Sequence, residues 1–351
     1  MNTRVLLVTA DDRSGAMEAA ALCADAGWPC VVTSWGGERS SDPDGAVEVV
    51  DLRSRHVAPH VAAERALETL RWPATRRAHK MDSTLRGNWA TELAALASGR
   101  RVLLVPAYPS AGRTCEQGVV RVNGVPVADS EFGADLRSSS ASSRPAEILG
   151  GDELADLNAL AAWLGGGSTI AVADASTDAE VEQLVRMAAG VPDVLLAGPA
   201  LVAGSLAHAM RTSVTPVRAP ILHPGAVVVV CGSRHPASRA QALAVEGLPG
   251  VTIVWPTIAS DNDAEVVALE LAVRAHDLVA ATGATTVVLL GGDTADAFIG
   301  ERWVRLRGSL DTGVACGEMS VDGRSVTIVT KPGGFGHDLT VRNLLLPVLP
   351  K

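Results

Sequence analysis

Short runs of consecutive apolar residues recur along this chain, and most are followed by an alanine-rich stretch with helical spacing. Continuous apolar runs are typical of strands that are buried on both faces of a parallel sheet. Their alternation with helical stretches predicts an α/β fold in which mostly parallel sheets are flanked by helices. The predicted strands are residues 5–9, 47–51, 102–105, 169–173, 194–197, 227–231, 252–255, 286–290 and 325–330. The predicted helices are residues 16–26, 61–70, 177–189, 237–246 and 265–281.

A proline-rich segment divides this pattern into two parts. The chain has 351 residues, more than one hydrophobic core usually holds. Residues 215–224 contain three prolines, which neither a helix nor a central strand accommodates. We therefore expect two domains, at 1–214 and 225–351, joined by a linker at 215–224.

Composition and charge limit the class of protein. Apolar residues make up 47% of the chain and charged residues 20%, as in globular proteins. The formal net charge of −9 argues against a broad nucleic-acid-binding surface. No apolar run is long enough to span a membrane, and the apolar start is too short for a signal peptide. Five scattered cysteines without ligand spacing indicate reduced thiols. We expect a cytoplasmic protein without nucleic-acid or membrane partners.

The first polar cluster follows the first predicted strand. Asp11 and Asp12 end that strand, and Ser14 and Gly15 lead into the predicted helix. Carboxylates at such a position can accept hydrogen bonds from substrate hydroxyls, hold Mg²⁺ or act as a base. Alternatively, Asp12 or Ser14 only caps the helix.

A second cluster contains one of only three lysines in the chain. Lys80, Asp82, Ser83, Thr84 and Arg86 place two cations, one acid and two hydroxyls within seven residues. This mixture suits a small acid that also carries hydroxyls, because an arginine can grip a carboxylate while acids and hydroxyls read hydroxyl groups. Alternatively, the run is the N-terminus of a surface helix with Ser83 or Thr84 as its cap.

A proline- and glycine-rich loop follows the predicted strand at 102–105. It carries Arg113, a candidate ligand for an anion. Further on, Asn123-Gly124 between apolar residues predicts a tight β-hairpin turn, which is a structural feature.

Three glycine-rich junctions follow strands in the second half. None is a Walker A loop or a G-x-G-x-x-G motif. Three such junctions in one domain nevertheless favour a phosphate cradle, because backbone N–H groups at helix starts bind anions. We interpret the adjacent His235 as a loop residue and not as a base. The junctions are Gly232-Ser233, Gly291-Gly292-Asp293-Thr294 and Lys331-Pro332-Gly333-Gly334-Phe335-Gly336.

In this order, the clusters resemble the four-carbon acid sugar kinase family, formerly a domain of unknown function. The resemblance spans nearly the whole chain. It implies a substrate domain and a nucleotide domain with the active site in the cleft between them. It also implies transfer of a phosphoryl group from ATP, with Mg²⁺, to a hydroxyl of threonate, erythronate, 3-oxo-tetronate or a similar acid. The first-domain motifs are residues 10–16, 80–87, 106–109 and 112–114.

The resemblance also implies roles for individual residues. ATP would be bound by Ser233, Gly291, Gly292, Asp293, Thr294 and Gly333. The acid-sugar site would be formed by Asp11, Asp12, Lys80, Asp82, Ser83 and Arg86, with Arg113 as a further substrate ligand. We expect Asp12 to be the general base, with Asp82 as the second choice, and Lys80 and Arg86 to neutralise the substrate carboxylate. No residue is assigned to a metal.

Several residues differ from the family pattern, and these differences leave two other functions open. Arg13 would add a cation beside the substrate acids, and Arg234-His235 and Pro332 replace smaller residues. A ligand sensor without turnover would keep both pockets. A nicotinamide-dependent dehydrogenase fits the strand–helix alternation, but neither domain opens with its glycine motif. The sequence does not fix the exact substrate, the hydroxyl that is phosphorylated or the oligomeric state, for which a homodimer is one option.

Overall fold

The structure of the chain is a computed structural model that describes residues 3–40, 46–134, 140, 142–211, 219–257 and 263–349. The first part of the predicted linker, residues 215–218, lies outside these ranges. The remainder, residues 219–224, contains neither helix nor strand. No helix in the described ranges combines the length and the apolar character needed to cross a bilayer.

Strands and helices alternate through most of the chain, as the apolar pattern predicts. The strands are β1 (Arg4–Ala10), β2 (Cys30–Ser34), β3 (Val47–Asp51), β4 (Ala74–Lys80), β5 (Arg101–Leu104), β6 (Arg113–Glu116), β7 (Val119–Val122), β8 (Val125–Pro126), β9 (Asp152–Leu154), β10 (Ile170–Ala173), β11 (Val194–Gly198), β12 (Val227–Cys231), β13 (Val251–Val254), β14 (Thr286–Leu290), β15 (Val304–Asp311), β16 (Val314–Val321) and β17 (Arg324–Lys331). The helices are α1 (Arg13–Asp25), α2 (Pro59–Thr69), α3 (Trp89–Leu96), α4 (Pro145–Leu149), α5 (Leu157–Leu164), α6 (Asp178–Ala189), α7 (Ala200–Ala209), α8 (Pro236–Leu243), α9 (Ala264–Thr282), α10 (Gly292–Ile299) and α11 (Thr340–Leu345).

The main sheet runs through both halves of the chain. Its strand order is β13-β12-β14-β17-β16-β15-β2-β3-β1-β4-β11-β5-β10-β9. The pairs are parallel except for β2 with β15, β15 with β16 and β16 with β17. The predicted class, mostly parallel sheet flanked by helices, is therefore confirmed. The sequence pattern did not predict β2, β4, β9, β15 or β16 of this sheet.

The two halves meet edge to edge where β2 pairs with β15. Strands from the first half are contiguous on one side of this junction, and strands from the second half are contiguous on the other. That separation supports the proposed division into two domains. One hydrophobic cluster nevertheless crosses the junction, because Val228 and Ile328 belong to the same cluster as Leu6. Neighbouring Val227 and Val229 face a second, smaller cluster, so both faces of β12 are covered.

A small second sheet, β6-β7-β8, lies beside the first-half strands. The turn between β7 and β8 consists of Asn123 and Gly124, with φ angles of 48° and 84°. Two consecutive positive φ angles are what an Asn-Gly hairpin turn requires. The predicted hairpin is confirmed, and Arg113 lies at the start of β6, the strand that pairs with β7.

Candidate functional site

Lys80 lies beside Asp11 and Asp12 because their strands are neighbours. The last residues of β1 and β4, Ala10 and Lys80, are directly paired. Lys80 Nζ lies 3.3 Å from Asp11 Oδ1 and 3.1 Å from Asp12 Oδ1. Asp12 is also the N-cap of α1, since its Oδ1 accepts a hydrogen bond from Gly15 N at 3.0 Å. The capping role and the site role therefore occur together.

Arg55 is the residue that the sequence patterns missed. It follows β3, which is the other neighbour of β1. Its Nε lies 2.7 Å from Asp11 Oδ2, and its NH2 lies 3.0 Å from Asp12 Oδ1 and 3.3 Å from Asp82 Oδ1. Arg55 thus joins the two acid clusters. The sequence motifs did not single out Arg55, because arginines follow several strands in this sequence.

The carboxylates of Asp12 and Asp82 are held in the charged form. Burial raises the pKa of Asp12, but Arg55 and Lys80 outweigh it and hold the pKa well below its usual range. Asp82 is likewise buried, and its charge is stabilised by Arg86 and Arg55, so that its pKa is far below the ordinary value. Arg86 binds Asp82 with two hydrogen bonds of 3.0 Å. Both acids are therefore ionised at neutral pH.

These groups line a cavity of about 410 Å³, here called the acid–cation cavity. All the predicted substrate residues except Asp11 border it, and Asp11 lies behind Lys80 and Arg55, fully buried. The cavity also has walls from the second half, formed by His235 and residues 332–335. The predicted residues that line it are Asp12, Lys80, Asp82, Ser83, Arg86 and Arg113.

Arg113 differs from the other cations of this cavity. Lys80, Arg55 and Arg86 are paired with aspartates, whereas Arg113 forms no ion pair within the described ranges. Its Nε is buried without a hydrogen-bond partner there. The guanidinium carbon lies 5.9 Å and 5.4 Å from the ring centres of Phe132 and Phe335. Arg113 is thus the cation best placed to receive an external anion.

The three glycine-rich junctions of the second half meet around a cavity of about 270 Å³, here called the glycine cavity. A Cβ on Gly333 would lie 3.0 Å from Ser233 Oγ, and a Cβ on Gly291 would lie 3.2 Å from Ser233 Cβ. Only residues without side chains let the junctions approach this closely. The residues expected to bind ATP that line it are Ser233, Gly291, Gly292, Asp293, Thr294 and Gly333.

Lys331 holds the loop of the third junction from inside the protein. Its Nζ donates hydrogen bonds to the carbonyl oxygens of Pro332 and Phe335, at 2.8 and 2.7 Å. The residue is fully buried, and burial lowers its pKa to about 8. It shapes the loop that separates the two cavities and does not face either of them as a lining residue.

The two cavities adjoin through the first turn of α1. A Cβ on Gly292 would lie 3.4 Å from Ser14 Oγ and 3.7 Å from Asp12 Oδ2. A third cavity of about 540 Å³ borders Asp12 and Gly292 and extends to Arg53 and Asp296. Asp12 therefore stands where a ligand in the glycine cavity and one in the acid–cation cavity would meet.

Arg13 connects the two halves instead of joining the ion pairs of Asp11 and Asp12. Its Nε lies 3.3 Å from Asp51 Oδ2 and its NH2 3.4 Å from Asp296 Oδ1. Arg53 binds the same Asp296 at 3.0 Å. The expectation that Arg13 adds a cation to the substrate acids is thus corrected, because its buried side chain points to β3 and α10. His235 is also more than a loop residue, since it caps α8 and lines the acid–cation cavity.

A magnesium ion fits this arrangement only together with phosphates. Within the described ranges no three His, Cys, Asp or Glu side chains cluster as metal ligands. Magnesium commonly uses one or two carboxylates and completes its shell with phosphate oxygens and water. Asp12 faces Gly292 but is already bound by Lys80, Arg55 and Ser14, so phosphate oxygens and water would supply most of the ligands.

Comparisons with known proteins agree with this division of the site. Residues 6–206 match the family model of the sugar-binding N-terminal domain. A D-threonate kinase from Bordetella bronchiseptica is 30% identical over 393 residues, which cover 95% of this chain and 95% of that protein. Residues 6–206, the range matched by the family model, contain every predicted substrate residue.

Solved structures share the whole fold. A protein from Salmonella typhimurium LT2 is 19% identical with a TM-score of 0.78, covering 98% of this chain and 99% of its own. A DUF1537 protein from Bordetella bronchiseptica, solved with bound citrate as a domain swapped dimer, is 26% identical with a TM-score of 0.55. The alignment covers 98% of each chain.

Fold and site together define an α/β protein with adjoining cavities whose first half matches a sugar-binding domain family. The chain belongs to the four-carbon acid sugar kinase family, whose former name is DUF1537.

Proposed function

We propose that this protein is an ATP-dependent kinase that phosphorylates a hydroxyl of a small sugar acid. The observation that carries the proposal is the position of Asp12 between the acid–cation cavity and the first turn of α10. An acceptor hydroxyl and a phosphoryl donor held in these two cavities would meet at its carboxylate. Threonate, erythronate and 3-oxo-tetronate are the candidate substrates, and the D-threonate kinase relative favours threonate.

Arg113 is our choice for the substrate carboxylate. Lys80 and Arg86, which the sequence suggested for that role, are engaged by Asp11, Asp12 and Asp82. A guanidinium without an acidic partner binds a carboxylate through paired hydrogen bonds. Lys80 and Arg86 then act by fixing the two aspartates, while Ser83 offers a hydroxyl to the substrate.

The transfer itself follows from the position of Asp12. The acceptor oxygen attacks the γ-phosphorus in line, the new O–P bond forms, and the bond to the leaving ADP oxygen breaks. The hydroxyl proton passes to Asp12, which is ionised because Arg55 and Lys80 stabilise its charge, and Asp82 is the second choice for this role. Magnesium, when bound, would neutralise phosphate charge. The backbone around Gly291, Gly292 and Gly333 supports the phosphates.

The test is ADP release by the purified protein with ATP, Mg²⁺ and a panel of four-carbon sugar acids. A kinase releases ADP with at least one acid, and Asp12→Asn abolishes this rate while ATP still binds. A protein that binds ATP and an acid but releases no ADP with any of them is a sensor, the alternative that the residue differences at Arg13 and Arg234-His235 motivated. A homodimer stays a prediction, supported by the domain swapped dimer of the Bordetella bronchiseptica relative.

A further inference from the structure

Glu18 is a buried acid of the acid–cation cavity to which neither the motifs nor the proposed transfer gives a role. It lies on α1, one turn beyond Ser14, and is only 8% exposed. Its Oε1 has no hydrogen-bond partner in the part of the chain that the structure describes. A buried acceptor without a donor is costly, so a ligand that donates a hydrogen bond there gains affinity.

The groups around Glu18 keep its carboxylate in place and charged at neutral pH. Tyr108, the single tyrosine of the sequence, interacts with the carboxylate from the loop after β5 and lowers its pKa. Lys80 on β4 and Arg113 on β6 stabilise the charge, and Asp12 at the start of α1 opposes it. Burial is the largest influence, and it raises the pKa of Glu18 to about 6. Above that pH the group only accepts hydrogen bonds.

The chemistry of the cavity narrows what Glu18 can bind. A substrate carboxylate or phosphate would be repelled by an ionised glutamate, so the ligand atom must be a donor. Sugar acids have one kind of donor, their hydroxyl groups. The reacting hydroxyl is directed to Asp12, which leaves the remaining hydroxyls of the substrate for Glu18.

We propose that Glu18 Oε1 accepts a hydrogen bond from a second hydroxyl of the substrate, one that is not phosphorylated. The cavity then selects polyhydroxylated acids over acids with a single hydroxyl. Tyr108 is the positioning residue, because its hydroxyl holds the carboxylate that reads the substrate. The inference rests on the proposed function for the identity of the ligand as a sugar acid.

Binding without ATP tests this independently of turnover. Calorimetry measures the affinity of the wild-type protein, Glu18→Gln and Glu64→Gln for threonate, erythronate and their mono-deoxy analogues. Glu64 is an exposed glutamate on α2 and serves as the matched control. We expect the wild-type protein and Glu64→Gln to prefer the full acid over one deoxy analogue by about 10- to 100-fold. Glu18→Gln should reduce that preference, because its neutral amide oxygen accepts a weaker hydrogen bond than a charged carboxylate, while its affinity for the analogue stays the same.

Two other results would overturn the inference: an unchanged preference in Glu18→Gln, or an equal loss of affinity for every acid. If Glu18→Gln does not fold, Tyr108→Phe takes its place and should reduce the same preference by a smaller factor. A wild-type protein that binds none of the acids contradicts the proposed function itself. The two failures are therefore distinguishable.

Discussion

The ammonium group of Lys80 occupies the space that a side chain at position 15 would fill. A Cβ built on Gly15 overlaps Lys80 Nζ and Cε and lies 2.6 Å from Asp12 Oδ1. Gly15 is therefore required because it lets the lysine reach both aspartates, and not only because it begins a helix. The lysine and the glycine lie in different motifs, 65 residues apart in the sequence.

Gly15→Ala should displace the lysine and leave the fold intact, because the end of a flexible side chain moves more easily than backbone. We expect kcat/KM to fall by about 100-fold, the usual consequence of moving a site group by about 1 Å. Gly190→Ala is the matched control, since a Cβ there meets only a carbonyl oxygen at 3.9 Å. Steady-state kinetics and thermal unfolding are the measurements, and retained activity in Gly15→Ala would falsify the assignment of Lys80.

Arg55→Met should destabilise the protein strongly, because it leaves Asp11, Asp12 and Asp82 with fewer cations. Removing one partner of a buried ion pair typically costs about 3–5 kcal/mol. Arg55→Lys should lose less stability, since the charge is kept while the paired hydrogen bonds are lost. Urea denaturation gives the free energies of unfolding. Arg71→Lys, at an exposed arginine, is the control and should be neutral. Equal stability of Arg55→Met and the wild-type protein would contradict the ion-pair network.

Gly333→Ala should weaken ATP binding more than sugar-acid binding, although Gly333 borders both cavities. The new Cβ would lie 3.0 Å from Ser233 Oγ and 3.2 Å from His235 Cβ. These distances are shorter than an ordinary van der Waals contact, so the two glycine-rich junctions must shift apart. We expect Kd for ATP to rise by about tenfold, equivalent to about 1.4 kcal/mol. Calorimetry with each ligand separately checks this. A variant that loses the sugar acid and keeps ATP would reverse the assignment of the two cavities.

The pKa of Glu18 makes stability depend on pH. Its folded-state pKa of about 6 lies above the ordinary value of 4.5, and burial is the main cause. The folded state therefore holds the proton more tightly, and this contribution is present below pH 4.5 and lost as pH rises through 6. A pKa rise of this size corresponds to about 2 kcal/mol in the free energy of unfolding. Glu18→Gln should remove this pH dependence, so its free energy of unfolding relative to wild type should increase between these pH values. A parallel pH profile for both proteins would contradict the pKa shift.

The same residue links stability to recognition. If Glu18→Gln is more stable than the wild-type protein at neutral pH but binds the full sugar acid less tightly, the glutamate is kept for its ligand and not for the fold. The exposed control Glu64→Gln should change neither property. Urea denaturation and calorimetry on the same preparations make the comparison.

Much of the fold followed from local patterns. Buried strands such as β12 and β14 are continuous apolar runs, and the Asn123-Gly124 turn has a conformation that few other residue pairs adopt. By contrast, β15 and β16 contain glycines and exposed polar residues, so no continuous apolar run marks them in the sequence. The junction of β15 with β2 joins residues more than 250 positions apart, which no local pattern encodes.

In the functional site, too, some features follow from the sequence and others depend on the tertiary structure. The sequence by itself determined which residue types follow each strand: acids after β1, a lysine and an acid around the end of β4, and glycines after β12, β14 and β17. Only the tertiary structure decided which of these charges neutralise one another. Arg55 pairs with three aspartates and Lys80 with two of them, whereas Arg113 forms no ion pair within the described ranges and lies beside the rings of Phe132 and Phe335. Ion pairing depends on distances of a few ångströms between strands, and the order of residues along the chain does not fix those distances.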